Sequence, residues 1–169
     1  MPRRYRRRKY YTVQRNVKPV KYSSENFDNS INVDLSIAAQ FAIPFIYATE
    51  VAGMRKVKNF TVNFDTNSEI PFLFALVYVP QGTEPNQLNL ATVDSSNNPI
   101  AGSLYEPNQN VILAGSFGGP GTSHSRYFTR LARNLNSGDR VFLIYRCVGP
   151  TTESQLVTVC SQISFAIAY

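Results

Sequence analysis

The first 24 residues carry a charge that keeps them out of a folded core. Nine of the chain's 17 basic residues lie between Met1 and Ser24, and the first acidic residue is Glu25. Eight basic and eleven acidic residues follow, so a segment of +9 precedes a remainder of 8 − 11 = −3. Dense like charge with few large apolar side chains predicts a solvated, disordered arm, and the rest of the chain has to build the fold.

The composition of this arm predicts that it binds nucleic acid. Its basic side chains can replace the counterions of phosphates, and its interleaved tyrosines can stack on unpaired bases. The predicted nucleic-acid-binding residues are Arg3, Arg4, Tyr5, Arg6, Arg7, Arg8, Lys9, Tyr10, Tyr11, Arg15, Lys18 and Lys21. A nuclear import signal and the basic tail of a ribosomal protein are alternatives on the arm alone. No apolar segment follows the charges, so we expect neither a secretory signal nor a membrane anchor.

The remaining residues have the composition of a single all-β domain. The chain contains 11 Phe and 10 Tyr, with many Val, Ile and Thr, and these residue types favour strands. It has only two cysteines, Cys147 and Cys160, which is too few for a disulfide framework. Without a signal peptide they predict free thiols in a reducing compartment.

Alternation of apolar and polar residues indicates the first strands. Residues 30–45 alternate and predict one extended strand ended by Pro44, followed by an irregular or helical corner at 46–53. Residues 55–65 alternate again, but the pattern slips by one residue between positions 57 and 60. This slip predicts a β-bulge. The run FLFALVYV at Phe72–Val79 predicts a strand that is buried on both faces.

The second half of the chain shows shorter strand patterns between turns. Residues 81–110 are rich in Asn, Gln, Ser and Pro and predict long surface loops, and the sequence GSFGGPG at 115–121 predicts a turn. Residues 111–114, 124–129, 140–148 and 156–169 predict strands, and 130–135 a helical turn. Seven or eight strands with almost no helix predict a two-sheet sandwich or jelly roll. The expected division is an arginine-rich arm at 1–28 and a jelly-roll shell domain at 29–169.

Three stretches resemble the coat proteins of circoviruses and related small circular single-stranded DNA viruses. These are PRRYRRRKYY at 2–11, the passage from IPF at 43–45 through RKVK at 55–58 to residue 64, and HSRYFT at 124–129. The six residues HSRYFT are the most specific of the three, and the order of the stretches is also kept. Together they cover about a third of the chain. The chain is shorter than those coat proteins and its arm has fewer basic residues, which favours a related family.

The resemblance implies an eight-stranded jelly roll in the smallest icosahedral shell, of T=1 type with sixty copies. It also implies an arm that points inward onto a single-stranded circular DNA genome, a place in the virion, and assembly in the host nucleus with the help of the nuclear import machinery. Sixty copies would bring 60 × 9, or about 540, arm charges to about as many phosphates. A satellite-virus coat that packages RNA and a non-assembling nucleic-acid-binding β-domain are the alternatives.

The sequence contains no constellation that predicts catalysis, a metal site or a cofactor. His124 is the only histidine, and it lacks the ligand spacing of a zinc site with the two cysteines. Ser123 and Ser125 flank it along a predicted strand, where neighbours point to opposite faces. Five arginines of the domain are open to two interpretations, as contacts to shell or genome and as ordinary solvated positions: Arg126, Arg130, Arg133, Arg140 and Arg146.

Overall fold

The structure, a computed structural model, describes residues 21–36, 40–50, 52–84, 90, 110–121, 123–148 and 153–169. These residues form nine strands and no helix. The strands are β1 (Ser23–Asp34), β2 (Gln40–Ile46), β3 (Arg55–Thr66), β4 (Phe72–Val79), β5 (Val111–Phe117), β6 (His124–Thr129), β7 (Arg133–Leu135), β8 (Arg140–Cys147) and β9 (Leu156–Ala168).

The strands form two antiparallel sheets. Sheet A has the order β1-β9-β3-β6, with the short β7 also paired to β3, and sheet B has the order β2-β8-β4-β5. The chain passes repeatedly from one sheet to the other, and the first and last strands lie side by side in sheet A. This strand order is that of a jelly roll. The predicted all-β, two-sheet architecture is confirmed.

The core lies between the two sheets and is rich in aromatic rings. Every second residue of each strand points inward, because side chains alternate across a strand. Phe64 of sheet A stacks on Phe117 of sheet B with ring centroids 3.9 Å apart and planes 3° apart. Phe45 of sheet B meets Phe60 and Phe165 of sheet A edge to face, at 6.3 and 5.8 Å. These rings join the sheets along the length of the sandwich.

Sheet B also carries a second apolar layer on its outer face. Ala75 and Val77 of β4 and Phe142 and Ile144 of β8 form a buried cluster with Leu90. The Leu90 N–H donates to the Gln40 side-chain oxygen at 3.1 Å. The prediction that β4 is buried on both faces is therefore confirmed.

The prediction of one strand over residues 30–45 is wrong. The first strand begins earlier, at Ser23, and it ends at Asp34, after which the chain crosses to sheet B. The Asp34 carboxylate accepts hydrogen bonds from the Ser36 N–H at 2.9 Å and the Ser36 hydroxyl at 2.8 Å, an Asx turn that stops the strand. Residues 23–28, assigned to the arm in the sequence, thus belong to sheet A.

Two smaller predictions are also wrong. Pro44 does not end its strand: β2 continues to Ile46 through a register shift, which an edge strand tolerates because proline need not donate there. Residues 130–135 form no helical turn, since β7 pairs with the first residues of β3. By contrast, the predicted bulge is confirmed. The register of β3 against β9 shifts between Lys58 and Thr61, and Asn59 takes a φ of 56° there.

Gly115 of β5 provides a test of how tightly the rings are packed. A Cβ at this position would lie 2.9 Å from Phe74 Cε1 and 3.0 Å from Tyr127 Cε1, and Phe74 is fully buried. We expect Gly115→Ala to lower the free energy of unfolding by about 1–2 kcal/mol, because overpacking exceeds the gain from a less flexible unfolded chain. Urea unfolding measures it, with Ser116→Ala on the exposed side of the same strand as the neutral control. Equal stability of both variants would contradict the packing described here.

Candidate nucleic-acid interface

The predicted nucleic-acid-binding residues fall almost entirely in the first 20 positions. Of the twelve, Lys21 is described by the structure and is exposed. The other eleven lie outside the described residues: Arg3, Arg4, Tyr5, Arg6, Arg7, Arg8, Lys9, Tyr10, Tyr11, Arg15 and Lys18.

Tyr22 shows where the chain leaves the predicted arm and enters the domain. It directly precedes β1, and its ring lies under the Lys58 ammonium group, with Nζ 3.7 Å from the ring centroid. Lys58 is on β3, two strands away from β1 across the sheet. The start of the domain is therefore held against the outer face of sheet A.

The outer face of sheet A is covered by polar and small side chains in rows across the strands. One row contains Asp28, Gln162, Asn63 and Arg126, each paired with the next in register. A second row, nearer the arm, contains Asn26, Ser164, Thr61 and Phe128. Because the inner positions of the same strands hold the core, these rows are exposed by the ordinary alternation of a strand.

Positive charge lies on the half of this face that adjoins Tyr22 and, at the margin of that half, in the row that also contains Asp28. Lys56 and Lys58 of β3 and Arg126 of β6 project outward, and the exposed ring of Phe128 lies on the same strand as Arg126. Among the residues that the structure describes, none of these three cations forms an ion pair. We call Lys56, Lys58, Arg126 and Phe128 the basic face.

The other half of the outer face contains the only histidine. His124 Nδ1 lies 3.4 Å from an Asp65 carboxylate oxygen, and both side chains are largely exposed. Asp28, Asp65, His124 and Arg126 line part of a shallow cleft of about 740 Å³ across the four strands. Ser125 pairs with the buried Phe64, on the side of the sheet opposite His124, so these neighbours have no nucleophile–base geometry.

Within the described ranges no cluster of three or more His, Cys, Asp or Glu side chains could hold a metal ion. No helix among these residues is long and apolar enough to cross a membrane. Neither cysteine forms a disulfide bond within the described part of the chain. Cys147 is buried in the core from sheet B, whereas Cys160 lies on the outer face of sheet A with its sulfur 3.3 Å from the Ser30 hydroxyl, so sheet A separates the two thiols.

The five arginines considered in the sequence do not share one surface. Arg126 belongs to the basic face, and Arg130 follows the same strand in sequence. Arg133 lies in β7. Arg140 and Arg146 pair with Val79 and Leu73 on the outer side of sheet B, and Arg140 forms an ion pair with Glu84 at 3.7 Å. Only part of the set is therefore available to a ligand of sheet A.

A buried carboxylate ties together the corners at the end of the sandwich where the arm joins. Asp139 is 4% exposed and accepts hydrogen bonds from the Tyr78 hydroxyl at 2.8 Å, the Asn136 N–H at 2.7 Å and the Gln81 N–H at 3.1 Å. Burial, and then this hydrogen bond and the charge of Asp139, raises the pKa of Tyr78 to about 12. These contacts fix the turn before β8 against the end of β4.

Arg55 joins the same network from β3. Its guanidinium is buried and donates to the carbonyl oxygens of Tyr47 at 3.0 Å and Asp139 at 3.3 Å. With Arg55 held inward, the alternation of the strand turns Lys56 outward.

The sequence reasoning missed Lys56, Lys58 and Phe128 as candidate binding residues. The signal was present, because the alternation over residues 55–65 places both lysines on the polar side of a strand. It could not be used without the strand order, since only the pairing of β3 with β6 brings Arg126 and Phe128 to the same face.

Comparison with protein-family models and with curated protein sequences found no match. Among solved structures, the chain is similar to a chain of desmodium yellow mottle tymovirus. That similarity has a TM-score of 0.34 and 14% sequence identity, and it covers 93% of this chain and 95% of the other. A likeness at this score does not establish kinship, and the jelly-roll assignment depends on the strand order alone.

Two tyrosines test the importance of the Asp139 network. The Tyr78 hydroxyl donates to Asp139, whereas the Tyr145 hydroxyl is buried in the core without a partner among the described residues. We expect Tyr78→Phe to lower the free energy of unfolding by about 1–3 kcal/mol, because it removes a hydrogen bond to a charged group. Tyr145→Phe should leave stability unchanged or raise it, because it removes an unsatisfied hydroxyl. Chemical denaturation of both variants measures the difference, and the reverse order would refute the network.

The raised pKa of Tyr78 predicts a loss of stability in alkali. The folded protein holds the phenol proton up to a pH of about 12, whereas the unfolded chain releases it at about 10. The stabilisation by Tyr78 is therefore complete below pH 10 and is lost as the pH rises through 12. We expect the stability difference between the wild type and Tyr78→Phe to shrink over that range in urea unfolding. A difference independent of pH would contradict the assignment.

Proposed function

We propose that the chain is a viral coat protein, a jelly-roll subunit that assembles into a closed shell around a nucleic acid held by its basic arm. The observation that carries this proposal is the jelly-roll strand order joined directly to a segment of nine cations and no carboxylate. Jelly rolls also occur in lectin domains and in cupins, but neither needs such an arm. Polyanion binding accounts for it.

The exposed apolar side chains support assembly. Tyr47, Met54 and Tyr169 are 62%, 57% and 84% exposed at the end of the sandwich where β1 begins. Val148 and Leu156, 54% and 70% exposed, follow β8 and begin β9 at the opposite end. A closed shell needs heterologous contacts between different patches of each subunit, and two apolar ends provide such patches.

The composition of the arm and the resemblance support a proposal for the nature of the packaged nucleic acid. The tyrosines between the arginines suit unpaired bases, which favours a single strand. We propose a T=1 shell of sixty copies around single-stranded circular DNA, in a relative of the circoviruses that assembles in the host nucleus. Coats that package RNA are the nearest competitor, and the test below separates the two.

Electron microscopy of the purified full-length protein tests assembly. We expect uniform small spheres whose nucleic acid is degraded by DNase and resists RNase once the particles are opened. Spheres with RNase-sensitive contents would keep the coat function and replace the genome type. A monodisperse subunit at every salt concentration, with and without added single-stranded DNA, would refute the coat protein.

Substitution within the arm tests its role. Replacing Arg3, Arg4, Arg6, Arg7 and Arg8 by Gln removes five positive charges. The slope of log K against log salt for a single-stranded oligonucleotide should fall by about 3.5, at about 0.7 per phosphate contact. The matched control replaces the same five arginines by Lys, which keeps the charge and should nearly keep the slope. Identical slopes for the Gln variant and the wild type would remove the arm from the binding function.

A further inference from the structure

We propose that the basic face of sheet A is a second binding surface for single-stranded nucleic acid, continuous with the arm. This inference rests on the proposed function and deepens it, because it assigns to the folded domain a contact that the arm alone was expected to make. The surface consists of Lys56 and Lys58 on β3 and of Arg126 and Phe128 on β6.

The charge of the basic face fits a polyanion. Lys56, Lys58 and Arg126 project from adjacent strands, and in the part of the chain that the structure describes no carboxylate forms an ion pair with them. Cations on a protein surface that are not paired internally are free to replace the counterions of phosphates. Asp28 lies in the same row as Arg126, and Asp65 lies one row farther from Tyr22. Both carboxylates would repel phosphate, so they limit the surface to the half beside Tyr22, with Arg126 at its margin.

The remaining side chains of this half suit bases. Phe128 is 54% exposed, and a base can stack on its ring. Ser164 and Thr61, its neighbours in the same row, have small polar side chains. In the next row, the Asn63 and Gln162 amides bond to each other at 3.3 Å on the exposed surface. A cationic track with an aromatic platform is the arrangement by which proteins hold single strands without reading sequence.

The position of Tyr22 makes the two surfaces continuous. Its ring lies against Lys58, so the chain leaves the predicted arm on this face of the domain. A nucleic-acid strand bound by the arm would therefore come close to Lys56 and Lys58 where the chain enters the domain at Tyr22. The outer face of sheet B differs, because its strands β4 and β8 carry the apolar cluster around Leu90.

The test compares two charge-matched pairs in the full-length chain. Lys58→Gln with Arg126→Gln removes two charges from the basic face, and Arg140→Gln with Arg146→Gln removes two from the outer side of sheet B. Binding of a fluorescent oligothymidylate is titrated at several salt concentrations, with unfolding curves to confirm that both variants are folded. We expect the slope of log K against log salt to fall by about 1.4 for the first pair and to stay close to the wild type for the second.

Substitution of Phe128 tests the stacking contribution without changing the charge of the surface. Phe128→Leu keeps an exposed apolar side chain but removes the ring. We expect it to weaken binding of single strands about fivefold or more with an unchanged salt slope, and to leave binding of duplex DNA unaltered. Equal affinity of Phe128→Leu and the wild type for single strands would overturn the stacking role.

The outcomes separate this inference from the proposed function. If the arm variant loses its salt slope while both body pairs behave alike, the coat function stands and the basic face is refuted. If the first pair instead lowers the yield of particles without changing oligonucleotide binding, the face is an interface with a second copy and the inference also fails. If the wild type binds no nucleic acid, the packaging function itself is refuted.

Discussion

Rings that cross between the two sheets hold the sandwich together, and the rest of the structure depends on them. Phe64 stacks on Phe117 and also contacts Phe74, while Phe45 connects to Phe60 and Phe165 nearer the arm. Pairs of this kind contribute about 0.5–1.5 kcal/mol each beyond the area they bury. Every strand contributes one face to this aromatic core. The charged residues of the domain therefore have to lie on the outer faces, at the sheet edges or in the corners.

The two outer faces are not equivalent, and the difference decides which one can bind a ligand. The outer side of sheet B carries a buried apolar cluster around Leu90, with Arg140 and Arg146 at the two ends of β8. Sheet A is apolar on one side only, as is usual for antiparallel sheets that face solvent. Its strands therefore keep the polar half of their alternation in water. The open sheet is also the one that contains β1, the first strand after Tyr22.

The sequence predicted best those features that are encoded locally. The strand at Phe72–Val79 has the bounds that its continuous apolar run indicates, and the one-residue slip in the preceding pattern of β3 marks a real bulge at Asn59. The first depends on a continuous apolar run of strand length and the second on the side-chain period of a strand, and a window of a few residues displays either one. The two-sheet architecture followed from the number of such windows and the turns between them.

Features that depend on distant pairing could not be predicted in the same way. Ser23 pairs with Ile167, and no local pattern near Ser23 indicates that its strand has already begun. The three residues of β7 form a strand only because β3 offers them an edge. Likewise, the alternation showed that Lys56 and Lys58 share a side, but only the sheet order places them beside Arg126.

Burial separates the structural cations of the domain from those that can meet a ligand. Arg55 points into the domain, and its guanidinium donates hydrogen bonds to the carbonyl oxygens of Tyr47 and Asp139. These bonds connect it to two corners of the fold. A buried cation of this kind cannot be removed without leaving those carbonyls unsatisfied, so its role is in stability. Lys56 follows it in the chain and is exposed. Because Arg55 is held inward, Lys56 points outward. The corner network that holds Arg55 therefore also orients the Lys56 charge that a polyanion would contact.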